Sequence, residues 1–267
     1  MTSGGIVYLV GAGPGDAGLF TVRGAELLGR AEVVVYDGLV NLELLHLAPS
    51  EAEIIYGGKH DRARRVSQDQ INALLVAKAR AGKRVVRLKG GDPYLFGRGG
   101  EEAEVLAEAG IPFEVVPGVS SVASVPAYAG IPLTHRDQAV VTIITGHHDP
   151  VSPDNKLDWA QLAGTPGTLV VLMGLRNIRA IAAALIDRGR SPDTPAAIVS
   201  RGTTPHQVTI SGTLSALADK LERSDLSPPA VTVIGEVVAL REKLNWFEPP
   251  KRACPSRSTS TGLPRSH

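Results

Sequence analysis

The chain has 267 residues, room for two modest α/β domains or one large one. A hydrophobic share of 43% supports a proper buried core, and 21% charged residues is ordinary for a soluble protein. With 4% aromatic residues and a net charge of +1, neither a base-stacking surface nor general attraction to nucleic acid or membrane is expected.

The charge is unevenly spread. Residues 249–267 carry Lys251, Arg252, Arg257 and Arg265 and no acid, which leaves −3 for the body. An anionic ligand would therefore be met by a local cluster of cations rather than by a global field. Cys254 is the sole cysteine, so no intrachain disulfide forms, which suits a reducing cytoplasm. The opening residues have no signal-peptide pattern, and the apolar runs 140–145 and 168–173 fall far short of the roughly 20 residues that span a bilayer.

From the start, short β-branched runs at 6–10, 33–36, 54–56, 84–88 and 113–116 predict strands. Helices are expected between them near 20–30, 41–47, 67–81, 97–109 and 119–129. The helix at 67–81 is the clearest: Ser67 and Gln70 make a capping box, Ile71, Leu74 and Leu75 mark one face, and Gly82 stops it. Such alternation implies a mostly parallel sheet covered on both faces. After Pro132 the pattern changes to strands at 140–145, 168–172, 196–199, 207–211 and 230–234, with helices near 177–188 and 213–223. The short link 201–205 calls for an antiparallel pair, so the second sheet is expected to be mixed. The expected organisation is an N-terminal α/β domain over 1–135, a C-terminal α/β domain over 136–248 with a cleft between them, and a disordered tail over 249–267.

The turn Gly11–Gly18 (GAGPGDAG) follows the first strand and fits G-x-G-x-x-G, with Asp37 about 20 residues on, as in a dinucleotide site. Pro14 removes a donor from that turn, and Asp16 puts a negative charge where a pyrophosphate would sit. An NAD(P)-dependent oxidoreductase is thus the rival of a different class, and a tight turn with no ligand is the plainest reading.

Several motifs stand in order along residues 6–240: Val10–Asp16 (VGAGPGD), Val35–Leu39 (VYDGL), Gly58–His60 (GKH), Arg87–Glu102 (RLKGGDPYLFGRGGEE), Val116–Ser121 (VPGVSS), Gly130–Arg136 (GIPLTHR), Thr168–Gly174 (TLVVLMG) and Pro229–Val237 (PAVTVIGEV). Together they resemble the tetrapyrrole methyltransferases, and within that family the members that act on uroporphyrinogen III. The resemblance implies a two-domain α/β fold with S-adenosyl-L-methionine folded in the cleft and no metal. It also implies a homodimer, and methylation at C2 and C7 that gives precorrin-2 for sirohaem, cobalamin or haem d1. A methylase acting elsewhere on a corrin precursor is the rival within the fold. A ribosomal RNA methylase would favour a basic body, and a mere tetrapyrrole carrier would not need the 90–93 loop.

The resemblance also assigns residues. Pro14, Gly90, Gly91, Asp92 and Leu95 are expected at the methyl donor, with Ser120 and Ser121 at its methionine part or ribose and Met173, Gly202 and Ala230 near adenine. Arg98, Glu101 and Arg136 are expected at the substrate, with Arg98 or Glu101 handling a proton. Asp37 and Lys59 hold the positions of proton acceptor and donor, though a lysine in a polar cleft serves better as a cationic anchor. Read without a ligand, Ser120 and Ser121 are N-cap residues, Met173 is a core residue, and Arg98–Glu101 is a surface i,i+3 pair. The strand at 84–88 is read as strictly apolar, ending where α/β sheets place ligands. Four histidines (60, 135, 147 and 148) are assigned no catalytic role, and the arginines at 62–65 are at most a steering patch. Truncation after Glu248 is expected to leave methyl transfer intact because the tail lacks core-forming residues; an inactive or insoluble product would overturn this.

Overall fold

A computed structural model describes residues 4–61 and 64–247. The tail expected over 249–267 lies outside the described residues. The N-terminal half runs β1 (Ile6–Gly11), α1 (Val22–Leu28), β2 (Val33–Tyr36), β3 (Glu53–Tyr56), the short hairpin β4 (Lys59–Asp61) and β5 (Arg64–Arg65), α2 (Gln68–Arg80), β6 (Arg84–Lys89), α3 (Gly99–Glu108), β7 (Phe113–Val116) and α4 (Ser121–Tyr128). Its five-stranded sheet has the order β3-β2-β6-β1-β7 and is parallel throughout. Alternation along the strands sends Val7, Leu9, Val33, Val35 and Val85 to the face covered by α2 and α3. It sends Val10, Val34, Val86 and Leu88 to the face covered by α1 and the turn at 42–47. The capping box at Ser67 is present, with Ser67 Oγ accepting from Gln70 N at 3.2 Å and Gln70 Oε1 accepting from Ser67 N at 2.8 Å.

The C-terminal half runs β8 (Val141–Thr145), α5 (Trp159–Gly164), β9 (Thr168–Leu172), α6 (Ile178–Ile186), β10 (Pro195–Ser200), β11 (Val208–Thr213), α7 (Leu217–Glu222), β12 (Ala230–Ile234) and α8 (Arg241–Leu244). The sheet order is β11-β10-β12-β9-β8. The 201–207 link does make β10 and β11 antiparallel, and only β8 and β9 run parallel, so the sheet is mixed. Helices α5, α6 and α7 cover one face. The other face, with Val170, Leu172, Val199, Val231 and Val233, receives Val122, Val125 and Ala129 of α4 and also Leu95. Helix α4 thus follows a strand of the first sheet and packs on the second, joining the two halves through a shared core. Among the described residues, no helix is long and apolar enough to cross a membrane.

Three loops at the carboxyl ends of β1, β6 and β7 approach one another closely at glycines. A Cβ on Gly118 would fall 2.2 Å from the Gly91 carbonyl oxygen and 2.7 Å from Gly11 Cα. Two short antiparallel bonds, Gly91 N to Gly13 O at 2.7 Å and Gly13 N to Gly91 O at 3.2 Å, lock the first two loops together. Gly118→Ala is therefore expected to destabilise by about 2–3 kcal/mol through forced backbone movement, measured by urea unfolding; an unchanged midpoint would refute the tight contact.

Candidate active site

Strand β6 is not strictly apolar, which corrects the sequence reading. Continuing the side of Val85, Arg87 and Lys89 point to the face under α2 and α3, and each is only 2% exposed. Glu102 of α3, at 0% exposure, receives them on one oxygen: Oε1 accepts from Arg87 Nε at 3.0 Å, Lys89 Nζ at 3.0 Å and Gln68 Nε2 at 3.1 Å. Its Oε2 is buried with no hydrogen-bond partner among the described residues. Arg87 Nη2 also donates to Asp37 Oδ1 at 2.5 Å, and Lys89 Nζ lies 3.9 Å from Asp37 Oδ2. Burial works against the Arg87 charge, but Asp37 and Glu102 together outweigh it and hold the guanidinium above its ordinary range. Lys89 shifts the other way, pushed down by burial and then by the Arg87 charge.

The network places Asp37 at the carboxyl edge of the sheet with its side chain 29% exposed, so one face is fixed by Arg87 and the other is open. Lys59 opens β4 just beyond the adjacent strand end; its side chain lies outside the described set. On the first turn of α3, Arg98 Nε and Nη2 donate to Glu101 Oε1 and Oε2 at 2.8 and 2.6 Å, a bidentate pair. Both side chains are about half exposed, at 57% and 51%. Hydrogen bonding to Glu101 raises the Arg98 pKa, and the same bond lowers that of Glu101.

The glycine turn is not a pyrophosphate cradle. Ala12 N donates to Lys89 O, Gly13 N to Gly91 O, Asp16 N to Thr203 Oγ1 and Gly18 N to Asp16 Oδ1, so those donors are spent inside the protein. Gly15, with φ +146, sits against the second half, where a Cβ would come 2.7 Å from Thr204 Cγ2. That contact brings Pro14 to the loop after β10. At the same end of the second sheet, Ala230 pairs with Ser200, and Met173 directly follows Leu172, the partner of Val231. Gly202 packs on Val125 of α4. Ser120 caps α4 by accepting from Val122 N at 3.2 Å, and Ser121 begins the helix. Pro14, Gly90, Gly91, Leu95, Ser120, Ser121, Met173, Gly202 and Ala230 therefore border one seam between the two sheets. Gly91, at φ +69, has no atom within 4 Å of where a side chain would be, while its N–H and C=O are both paired with Gly13.

Two assignments change in emphasis. Asp92 spans two loops, its Oδ1 accepting from Tyr94 N at 2.8 Å and its Oδ2 from Gly118 N at 3.0 Å, so it clamps the seam whatever else it touches. Arg136 is not tied to the cluster. Its turn is anchored by Leu133 O and Val140 O on Thr168, at the start of β9, about 17 Å of strand away from Met173. It is exposed at φ +42 and has no side-chain partner among the described residues. Arg87, Lys89 and Glu102 are members of the site that the sequence reading passed over; the alternation of Val85, Arg87 and Lys89 could have revealed them.

Positive φ recurs around the seam, at Phe96 (54°), Arg98 (60°), Met173 (57°), Arg201 (48°) and Thr203 (66°). Each costs about 1–2 kcal/mol in a residue with a Cβ, and such strain gathers at functional sites.

Two sheets whose loop-bearing ends meet over a glycine turn with its donors occupied define a two-domain α/β methylase fold rather than a dinucleotide-binding one. The chain belongs to the tetrapyrrole (corrin/porphyrin) methylases, a family that matches residues 6–218. It is 53% identical over 245 residues to a siroheme synthase of Neisseria meningitidis serogroup C, covering 91% of this chain and 50% of that protein. The chain thus spans about half the length of that relative. It is 50% identical over 241 residues to an S-adenosyl-L-methionine-dependent uroporphyrinogen III methyltransferase of Methanosarcina barkeri, covering 90% of this chain and 94% of that one. Among solved structures it resembles the uroporphyrin-III C-methyltransferase of Thermus thermophilus complexed with S-adenosylhomocysteine, at TM-score 0.74 and 42% identity, over 88% of this chain and 99% of that one.

Glu102→Ala would leave two buried cations without their shared carboxylate. It is expected to destabilise by about 3–5 kcal/mol, read by chemical denaturation; a loss under about 1 kcal/mol would mean that the network is not load-sharing.

Proposed function

We propose that this chain transfers methyl groups from S-adenosylmethionine to C2 and C7 of uroporphyrinogen III, giving precorrin-2 by way of precorrin-1 and releasing S-adenosylhomocysteine. The observation that carries this reading is the seam itself, where the turn at 13–16, the loop at 90–93 and the residues at 200–204 meet beside Asp37 and Arg98. The Methanosarcina relative, matched over nearly its whole length, supports the same substrate. The siroheme synthases among the relatives support sirohaem as the destination of the product.

S-adenosylmethionine supplies a methyl group on a positively charged sulfur, and the electron-rich reduced pyrrole supplies the carbon that receives it. The protein therefore needs no activated serine or cysteine; it must orient the two and exclude water. In this reading Gly90, Gly91 and Pro14 present backbone to the donor, Asp92 holds their loop, and Leu95 supplies an apolar wall. Ser120 and Ser121 lie at the methionine part or ribose, with Met173, Gly202 and Ala230 at the adenine. Asp37, aimed by Arg87, accepts the proton that the methylated macrocycle loses, and Lys59 anchors an acidic arm. Arg98, released from its exposed pair with Glu101, grips a carboxylate through its planar fork. Arg136 keeps a substrate role because eight carboxylates spread over a macrocycle exceed the reach of one arginine.

The same proposal has the chain work as a homodimer in the cytoplasm. Leu39 and Leu42, exposed at 62% and 61% on the rim beside Asp37, are the kind of apolar surface a second copy would cover; sedimentation at a monomer's rate would remove that part.

Incubation of the protein with labelled donor and uroporphyrinogen III is expected to add two methyl units to the macrocycle by mass spectrometry. Absence of transfer, or methylation of a different corrin precursor only, would reject the reading. Arg98→Ala is expected to leave stability within about 0.5 kcal/mol, since its pair is exposed, while lowering turnover about a hundredfold. Asp92→Ala is expected to lose activity and also about 1–2 kcal/mol of stability, because two backbone donors lose their acceptor. Full methyl transfer by both folded variants would overturn the site assignment.

A further inference from the structure

The turn at 13–18 contains Gly13 and Gly15 at φ +78 and +146, so its own side chains contribute little to holding its shape. The Gly13–Gly91 pair holds one end and Asn41 Nδ2 donates to Gly15 O at 2.9 Å, while Asp16 tethers the other end. Asp16 Oδ1 accepts from Gly18 N at 2.8 Å, Asp16 N donates to Thr203 Oγ1 at 3.1 Å, and Asp16 Oδ2 accepts from the Tyr128 hydroxyl at 2.8 Å. Tyr128 is the last residue of α4, more than a hundred positions away in sequence, and is itself clasped from behind. Its ring centroid lies 5.0 Å from that of Trp246 and 4.9 Å from that of Phe247, in tilted and edge-on arrangements. Trp246 Nε1 donates to Ala127 O at 2.9 Å, and Arg241 donates to Ala129 O, so the segment after β12 is pinned to the end of α4. Tyr128 is also bound through its backbone: Gln207 Nε2 donates to Tyr128 O at 3.1 Å while Gln207 Oε1 accepts from Thr203 N at 2.8 Å. The tyrosine therefore meets both sides of the seam at once.

We propose that Tyr128 is a positioning residue for the methyl-donor site: backed by Trp246 and Phe247, its hydroxyl fixes the Asp16 carboxylate and through it the turn that carries Pro14. The inference rests on the reading of this seam as the donor site. Burial, and then the Asp16 carboxylate, push the phenol above its usual range, so the hydroxyl stays protonated and remains the donor in this bond. A hydrogen bond to an ionised acceptor is stronger than a neutral one, and here it restrains a segment with two flexible glycines. Its loss should spread the turn over several conformations and lower the population competent to bind the donor. The macrocycle contacts at Arg98 and Asp37 lie on other loops, so the acceptor side should be spared.

The test uses the full chain. Tyr128→Phe keeps the ring packing and removes only the hydroxyl. It is expected to weaken S-adenosylhomocysteine binding, measured by calorimetry, about fivefold, and to raise the KM for S-adenosylmethionine by a similar factor. The kcat and the KM for uroporphyrinogen III should stay within about twofold, because bound donor is held by the remaining contacts. Asp16→Ala removes the same bond from the other side, together with that from Gly18 N, and stands in should Tyr128→Phe not fold. The double variant should bind no worse than Asp16→Ala alone, since one bond cannot be lost twice. Wild-type affinity in Tyr128→Phe, additive losses in the double variant, or an equal rise in KM for both substrates would overturn the inference while leaving the site reading intact. Failure of the unaltered protein to bind S-adenosylhomocysteine would overturn both.

Discussion

The interaction on which the site depends is the meeting of Arg87 and Lys89 with a single oxygen of Glu102 beneath α3. Two cations on an interior strand are costly to dehydrate, and their attraction to Glu102 and Asp37 repays that cost only while the geometry holds. That requirement fixes α3 against β6 more narrowly than apolar packing would, since Leu106 and Ala103 tolerate small slips and a three-donor carboxylate does not. The helix in turn sets where Arg98 and Glu101 stand, and the strand end sets where Gly90 and Gly91 begin. A pair of methionines and a leucine could fill the same volume, so stability alone does not explain the charges. Their position suits a role in aiming Asp37, the one member of the group with an exposed face.

The second constraint is the approach of backbone to backbone at the seam. Gly11 and Gly118 press against each other and against the Gly91 carbonyl, leaving no room for a side chain on either, while Gly15 meets Thr204 as closely across the two halves. Around this tight centre lie residues with side chains at positive φ, among them Met173, Arg201 and Thr203. Glycine would relieve the backbone strain at each, so the side chains or their exact directions outweigh it. Helix α4 ties the two effects together, because it starts at Ser121, just after β7 of the first sheet, and buries Val122 and Val125 on the second.

Most of the architecture was legible because strands and helices here obey their periods. The five parallel strands, the mixed second sheet and the capping box at Ser67 followed from alternation, turn residues and a local hydrogen-bond pattern. Three features were not. Strand β6 was read as apolar because its valines and leucine dominate, yet period two places Arg87 and Lys89 in line with Val85; the residues were visible, but their partner Glu102 comes from a helix whose packing the sequence does not state. Helix α5, six residues long, carries too short a repeat to separate from a loop. Tyr128 drew no reading, because its partners Asp16, Trp246 and Phe247 are brought to it only by the fold. For the site, the glycine and serine positions came from resemblance alone, whereas the role of Asp92 as a clamp between two loops needed coordinates.

On the proposed reading, the charge distribution accounts for how a body with net charge near −3 would receive a polyanion. Arg87 and Lys89 are neutralised inside the protein and so contribute no useful field at the surface. Arg98 is different: its partner Glu101 is half exposed, and a pair of that kind is worth at most about 1 kcal/mol. An incoming carboxylate can therefore take over the guanidinium fork at little cost, while Glu101 returns to water. Exchange of this sort would not be possible for Arg87, whose release would strand a buried charge. The protein thus separates two uses of arginine a few residues apart on one loop and strand. The buried one is committed to architecture, and the exposed one, on the proposed reading, is free to change partners.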